Sequence, residues 1–159
     1  MAAGWGICLW GMAGCADQTP EQLFSAAEAA AADSSGQDRA VQHLTEFLGR
    51  YPQHESSPKA LKLLAVIEQQ RGNAEESISY YERLLSEYPN SGHGAEAQFM
   101  VAYLHEEYLR DLERARLAYQ LVIDNYPESE LAASARFLIS HLGQDPEEWV
   151  EFGNGSSPP

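Results

Sequence analysis

Five histidines (His43, His54, His93, His105 and His141) and 24 acidic side chains are the groups with which this 159-residue chain could move a proton or hold a metal. Zinc needs three or four ligands converging on one point. No HExxH helix and no CxxC pair occurs; His54 and His93 fall in turns, and His105 and His141 fall in different units of a repeat described below. The adjacent acids Glu75-Glu76 and Glu106-Glu107 read as solvated helix faces, because acid-base catalysis needs two carboxyls in unlike environments. Ser91 and Ser129 each stand two residues after a proline and read as helix N-caps rather than nucleophiles. No glycine-rich phosphate loop follows a strand, because no segment reads as a strand. The expectation is a protein that is not an enzyme and takes no metal or cofactor.

The charge balance narrows the partners. Ten basic against 24 acidic residues give a net charge of −14, and the basic residues are scattered. Nucleic-acid affinity is built from clustered Lys and Arg, so nucleic acid is not an expected partner. Two cysteines exclude a disulfide framework. No apolar stretch reaches the 18 residues of a membrane-crossing helix. Residues 1–16 are nevertheless uncharged and carry Trp5, Ile7, Leu9, Trp10 and Met12 before Ala13-Gly14-Cys15. A run of this length fits the apolar region of a secretory signal. Small residues directly before Cys15 resemble the lipobox of bacterial lipoproteins. That resemblance implies a signal peptide over 1–14, cleavage before Cys15 and lipid on Cys15. Each buried CH₂ of an acyl chain contributes about 0.8 kcal/mol, so several chains would anchor the protein to a membrane. Ala16, rather than Asp, resembles outer-membrane sorting. The alternative is an apolar N-terminus on a cytoplasmic or soluble periplasmic protein.

The elements that position everything else come from a repeat. Tyr-Pro occurs at Tyr51-Pro52, Tyr88-Pro89 and Tyr126-Pro127, at intervals of 37 and 38 residues. Eleven residues before each Tyr stands Ala40, Ser77 or Ala115, and seven before stands Leu44, Tyr81 or Tyr119. Fourteen after comes Ala65, Ala102 or Ser140. A period in this range means stacked supersecondary units. Each unit reads as two helices. Ile78, Tyr81, Leu84, Leu85 and Tyr88 recur at three and four, one helical face. Proline then disfavours helix at the preceding Tyr. The following helix, over 94–108, packs Ala97, Val101, Ala102, Leu104 and Tyr108. The short links Arg71-Gly72-Asn73 and Leu109-Arg110-Asp111 fold each pair back antiparallel. Small residues at the crossings let Leu44, Tyr81 and Tyr119 fill the grooves.

Ala65, Ser77, Tyr81 and Pro89, and again Ala102, Ala115, Tyr119 and Pro127, reproduce the spacing of the tetratricopeptide repeat; Ala40, Leu44 and Pro52 match half a unit more. The chain resembles that family over 37–143, and its long Tyr-Pro-x-Ser turns resemble those of barrel-assembly lipoproteins of the BamD type and of the TolA-binding periplasmic coordinator protein. The resemblance implies an all-α solenoid, tetratricopeptide-like, of about three antiparallel helix pairs with a final capping helix near 130–142. It also implies a non-catalytic scaffold for protein–protein interaction, lipid-anchored on the periplasmic face of the outer membrane and contributing to cell-envelope or outer-membrane protein assembly. A soluble adaptor or an accessory subunit of an enzyme complex is the alternative.

Four segments follow: the signal peptide 1–14; 15–36, an anchored segment with a first helix started by Thr19-Pro20 and ended by Ser34-Ser35-Gly36; the repeats 37–143; and an acidic, partly disordered tail 144–159. In the tail, Trp149, Val150 and Phe152 either dock on the last pair or form a short binding motif. Solenoids of this kind expose a concave surface lined by the first helix of each pair. Lys62, Gln69, Gln98, Tyr103, Glu106 and Arg136 are the candidate lining, for a peptide or protein partner with basic segments.

Overall fold

The computed structural model describes residues 18–144. The expected signal segment 1–14, Cys15, Trp149, Val150 and Phe152 lie outside them. Among the described residues every regular element is helical: α1 (Pro20–Ala31), α2 (Gln37–Arg50), α3 (Ser57–Gln70), α4 (Ala74–Glu87), α5 (Gly94–Glu107), α6 (Leu112–Asn125) and α7 (Glu130–His141), with a 3-10 turn at Ser34–Gly36. The order is α1–α2, α3–α4 and α5–α6 as antiparallel pairs, each stacked on the next, with α7 against α6. This is the expected α-solenoid of three pairs and a final helix. The array starts with α1, earlier than residue 37, because α1 packs on α2 as a full first helix. No described helix is long and apolar enough to cross a membrane.

The start of α1 follows from local chemistry. Thr19 Oγ1 accepts from the Gln22 backbone N–H at 3.3 Å, and Gln22 Oε1 accepts from the Thr19 N–H at 3.1 Å. This reciprocal cap satisfies two donors that a helix start leaves open. The three Tyr-Pro steps end α2, α4 and α6 alike. Tyr51, Tyr88 and Tyr126 take φ −130 to −134° and ψ 52 to 56°, and their N–H groups still bond to Phe47, Leu84 and Val122. The tyrosines do more than stop helices. Tyr51 Oη donates to the Gln18 carbonyl at 2.9 Å, and Tyr88 Oη to the Pro52 carbonyl at 2.6 Å. Each ties the end of a helix pair to the chain that enters the same pair. Tyr126 lies in the same way over Gly94, the first residue of its pair, where a Cβ would meet the hydroxyl end of the ring.

The small residues lie where helices cross. Ala40, Ala65, Ser77, Ala102 and Ala115 are all 0% exposed, as are the fillers Leu44 and Tyr119, with Tyr81 at 1%. Ser77 differs from Ala40 and Ala115 by a hydroxyl, which donates to the Ala65 carbonyl at 2.7 Å across the α3–α4 crossing. Each large apolar side chain in this core is worth ~1.5–3 kcal/mol relative to exposure. Polar residues stitch the edges. Glu68, 6% exposed, receives Arg71 Nη1 at 3.0 Å and Asn73 Nδ2 at 2.7 Å, and Arg71 Nη2 reaches Asp38 Oδ1 at 2.6 Å.

Two local expectations are corrected. Ser129 caps α7, accepting from the Leu131 N–H at 3.2 Å, but Ser91 does not cap α5. α5 starts at Gly94, after Gly92 turns the chain at φ +77°, so Ser91 lies too early and accepts only from the His93 N–H at 3.4 Å. Ser140 is exposed and bonds to its own helix at Phe137 O, because no further described helix follows α7. In the α5–α6 link the left-handed position held by Gly72 (φ +81°) in the preceding unit is taken by Arg110, at φ +55°.

Candidate functional site

Counting from the Tyr-Pro steps aligns the first helices. Lys62, Phe99 and Phe137 occupy one register position; Gln69 and Glu106 share another; Val66 and Tyr103 share a third. Phe24 takes the place of Lys62 when α1 is aligned through Ala27, buried as Ala65 and Ala102 are. The structure puts α1, α3 and the residue before α5 around one cavity of ≈ 260 Å³, lined by Phe24, Glu28, Lys59, Lys62, Leu63, Val66 and His93. It is apolar at its floor and charged at its rim. Lys62 Nζ reaches Glu96 Oε2 at 2.6 Å, joining α3 to α5. His93 Nδ1 stands 4.0 Å from the same oxygen.

The surface continues along α5 as an aromatic and acidic patch. Tyr103 and Tyr108 meet edge to face with ring centroids 6.2 Å apart. Gln69 Nε2 donates to Tyr108 Oη at 3.4 Å. Phe99 stacks edge-on to Tyr119 at 5.3 Å, and Tyr119 Oη donates to Glu106 Oε2 at 2.8 Å. Burial, with the Glu106 carboxylate beside it, pushes the Tyr119 phenol far above the ordinary range. Burial, then Tyr108 and the Glu107 and Glu106 carboxylates, raises Tyr103 as well. Both phenols therefore stay neutral at physiological pH, as hydrogen-bonding groups and not as bases.

Lys62, Gln69, Tyr103 and Glu106 thus fall on one continuous surface. Gln98 and Arg136 do not belong with them. Both share the register of Leu61, a fully buried core residue. Gln98 is 8% exposed and lines a different cleft, between α4 and α6, with Glu82, Leu85, Val101, His105, Arg114, Leu117, Ala118 and Leu121. Arg136 holds that same inward position on α7 and is exposed because no described helix follows to cover it. Sequence reasoning missed Phe24, Lys59, Leu63, Val66 and Phe99. The register would have found Val66 from Tyr103 and Phe99 from Lys62.

Among the described residues no three His, Cys, Asp or Glu side chains converge as metal ligands. Ser140 Oγ lies 2.9 Å from His141 Nδ1, but the hydroxyl also lies 2.7 Å from the Phe137 carbonyl, which takes its proton in place of the imidazole. The aromatic edges, the neutral donors and the Lys62–Glu96 pair are groups that meet a polypeptide, whose side chains fill pockets and whose amides find partners.

The family model of the tetratricopeptide repeat matches residues 60–91 and 96–129. The first stretch covers most of α3, all of α4 and the turn to Ser91; the second covers most of α5, all of α6 and the turn to Ser129. No curated protein matches the chain. α1 and α2 lie outside both stretches, although they repeat the pair geometry. Two helix pairs, α3–α4 and α5–α6, therefore match the tetratricopeptide repeat, within a stack that among the described residues has three pairs and a final helix.

Proposed function

We propose that this protein is a non-catalytic scaffold that holds an extended or helical segment of another protein against the first-helix surface. The tetratricopeptide repeats support the scaffold reading. The observation that carries the choice of surface is the cavity lined by Phe24, Leu63 and Val66, with Tyr103 in the register of Val66 and Glu106 in that of Gln69 on the next first helix. Apolar side chains of the partner fill the cavity, and basic ones meet Glu106 and Glu107. The excess of acid over base, −14, favours such a partner by steering it at long range.

The finer reading is a lipoprotein of the bacterial envelope. Residues 1–16 and Cys15 support an anchor to the outer membrane facing the periplasm, and the Tyr-Pro-x-Ser turns support a place in envelope or outer-membrane protein assembly. A photo-crosslinking residue at Val66, in cells expressing the full chain, tests the scaffold. One defined protein should be captured there and lost with Tyr103→Ala; capture that is equal from Ser79, on an outward face, would contradict it. Cys15→Ala tests the anchor. The variant should keep residues 1–14 and carry no lipid; unchanged mass and unchanged fractionation would contradict lipidation without touching the scaffold reading.

A further inference from the structure

The outward face of α6 departs from the other second helices. Leu117 is 66% exposed and Leu121 46% exposed, one turn apart on that face. The register positions in α4 hold Ser79 and Arg83, and those in α2 hold Gln42 and Glu46. The repeat itself therefore asks for polar residues there. An exposed leucine pair specific to one unit marks a contact surface rather than a packing requirement. The leucines border a cleft of ≈ 280 Å³ between α4 and α6, floored by Val101 and Ala118 and edged by Leu85.

The same face points to its occupant. Arg114 precedes Leu117 by one turn, and Asp124 follows Leu121 by one turn, so the strip reads basic, Leu, Leu, acidic along one side of α6. We propose that this strip pairs antiparallel with α6 of a second copy of the chain, across a two-fold axis. The positions sum correctly: Leu117 of each copy meets Leu121 of the other, and Arg114 of each meets Asp124 of the other. A two-fold contact must be self-complementary in this way. The equivalent strips, Glu76-Ser79-Arg83-Ser86 in α4 and Arg39-Gln42-Glu46-Gly49 in α2, lack the apolar centre. Both charges remain available for the pairing. Arg114 has a 70% exposed side chain, and its ion pair among the described residues is with Asp111, at 3.4 Å through Nε. Asp124 accepts from Gln120 with Oδ1 at 2.9 Å, which leaves Oδ2. The pairing leaves the first-helix surface open, so two partner segments are held by one dimer.

One helix pair buries less than a standard stable interface, and two chains of −14 repel, so the dimer is weak. Sedimentation equilibrium of the full chain in density-matched detergent tests it, over roughly 1 µM to 1 mM, the range of weak complexes. The wild type should pass from monomer to dimer within that range. Leu117→Glu with Leu121→Glu should raise the dissociation constant at least about tenfold, with helical circular dichroism unchanged. Arg114→Asp should weaken pairing several-fold, by setting two acids face to face. Arg114→Asp with Asp124→Arg rebuilds a self-complementary strip and should return to within about threefold of wild type. The recovery holds the proposal to account even where the leucine variants lose structure. A monomer throughout, a dimer indifferent to both leucines, or a double exchange no better than the single one would overturn it.

Discussion

Leucine in place of Ser77 is the sharpest perturbation of the packing. Ser77 is 0% exposed, and its hydroxyl spans the α3–α4 crossing to the Ala65 carbonyl at 2.7 Å. Two effects separate by choice of variant. Ser77→Ala removes one hydrogen bond but restores the residue that units one and three carry at this position, Ala40 and Ala115. The Ala65 carbonyl keeps its place in the helix ladder, so nothing is left unpaired, and the loss is about 1 kcal/mol. Ser77→Leu loses the same bond and also drives three further carbons into a closed crossing. Overpacking adds about 1–3 kcal/mol, for a total near 2–4 kcal/mol. Ser79→Leu is the control. Ser79 is exposed on the same helix, in register with the exposed Leu117, and leucine there should stay within about 0.5 kcal/mol of wild type. Urea unfolding followed by helical circular dichroism reads all three, with unchanged slopes. If Ser77→Leu cost no more than Ser77→Ala, or no more than Ser79→Leu, small residues would not be setting the helix separation.

Arg110 holds a left-handed backbone that Gly72 holds in the preceding unit, so Arg110→Gly should stabilise the fold by roughly 0.5–1 kcal/mol, seen as a higher Tm; a lower Tm would mean that the strain is absent. A Cβ at Gly36 would collide with the Ala30 backbone carbonyl, whereas one at Gly94 would meet only the movable end of Tyr126. Gly36→Ala should therefore cost more than Gly94→Ala, with both in the range of about 1–3 kcal/mol, and equal urea midpoints would refute this. Burial holds His105 below its ordinary value; Arg114 acts with burial, while the Asp111 and Glu82 carboxylates oppose it. The unfolded chain then takes a proton that the folded chain refuses, so stability should fall as pH drops below about 6.5 toward the lowered folded value. His105→Gln should lose less between pH 7.5 and 5 than wild type, and parallel pH profiles would refute the assignment.

Much of the architecture was legible because a repeat states each rule three times. The small residues, the fillers and the Tyr-Pro stops recur, so a chance match at one copy could not mislead. What stayed hidden was long-range or asymmetric. The spacing shows that Tyr88 ends a helix but not that its hydroxyl reaches Pro52, a contact fixed only once α4 folds back along α3. Ser91 resembled Ser129 in sequence, yet Gly92 moves the helix start beyond its reach. Gln98 and Arg136 were misplaced because an amide and a guanidinium look like surface groups, while their register partner Leu61 shows the position to face inward. Lys62 stands out in the sequence, but the cavity beside it also takes Phe24, from the first helix expected within 15–36, where no Tyr-Pro step precedes it to fix the register.

The scaffold claim is tested most directly by amide chemical-shift mapping of the chain with the segment recovered by crosslinking at Val66. Shifts should concentrate on Phe24, Lys62, Val66, Phe99 and Tyr103, and Val66→Glu should abolish binding while the spectrum of the free fold persists. Shifts confined to α2, α4 and α6, or binding untouched by Val66→Glu, would contradict it.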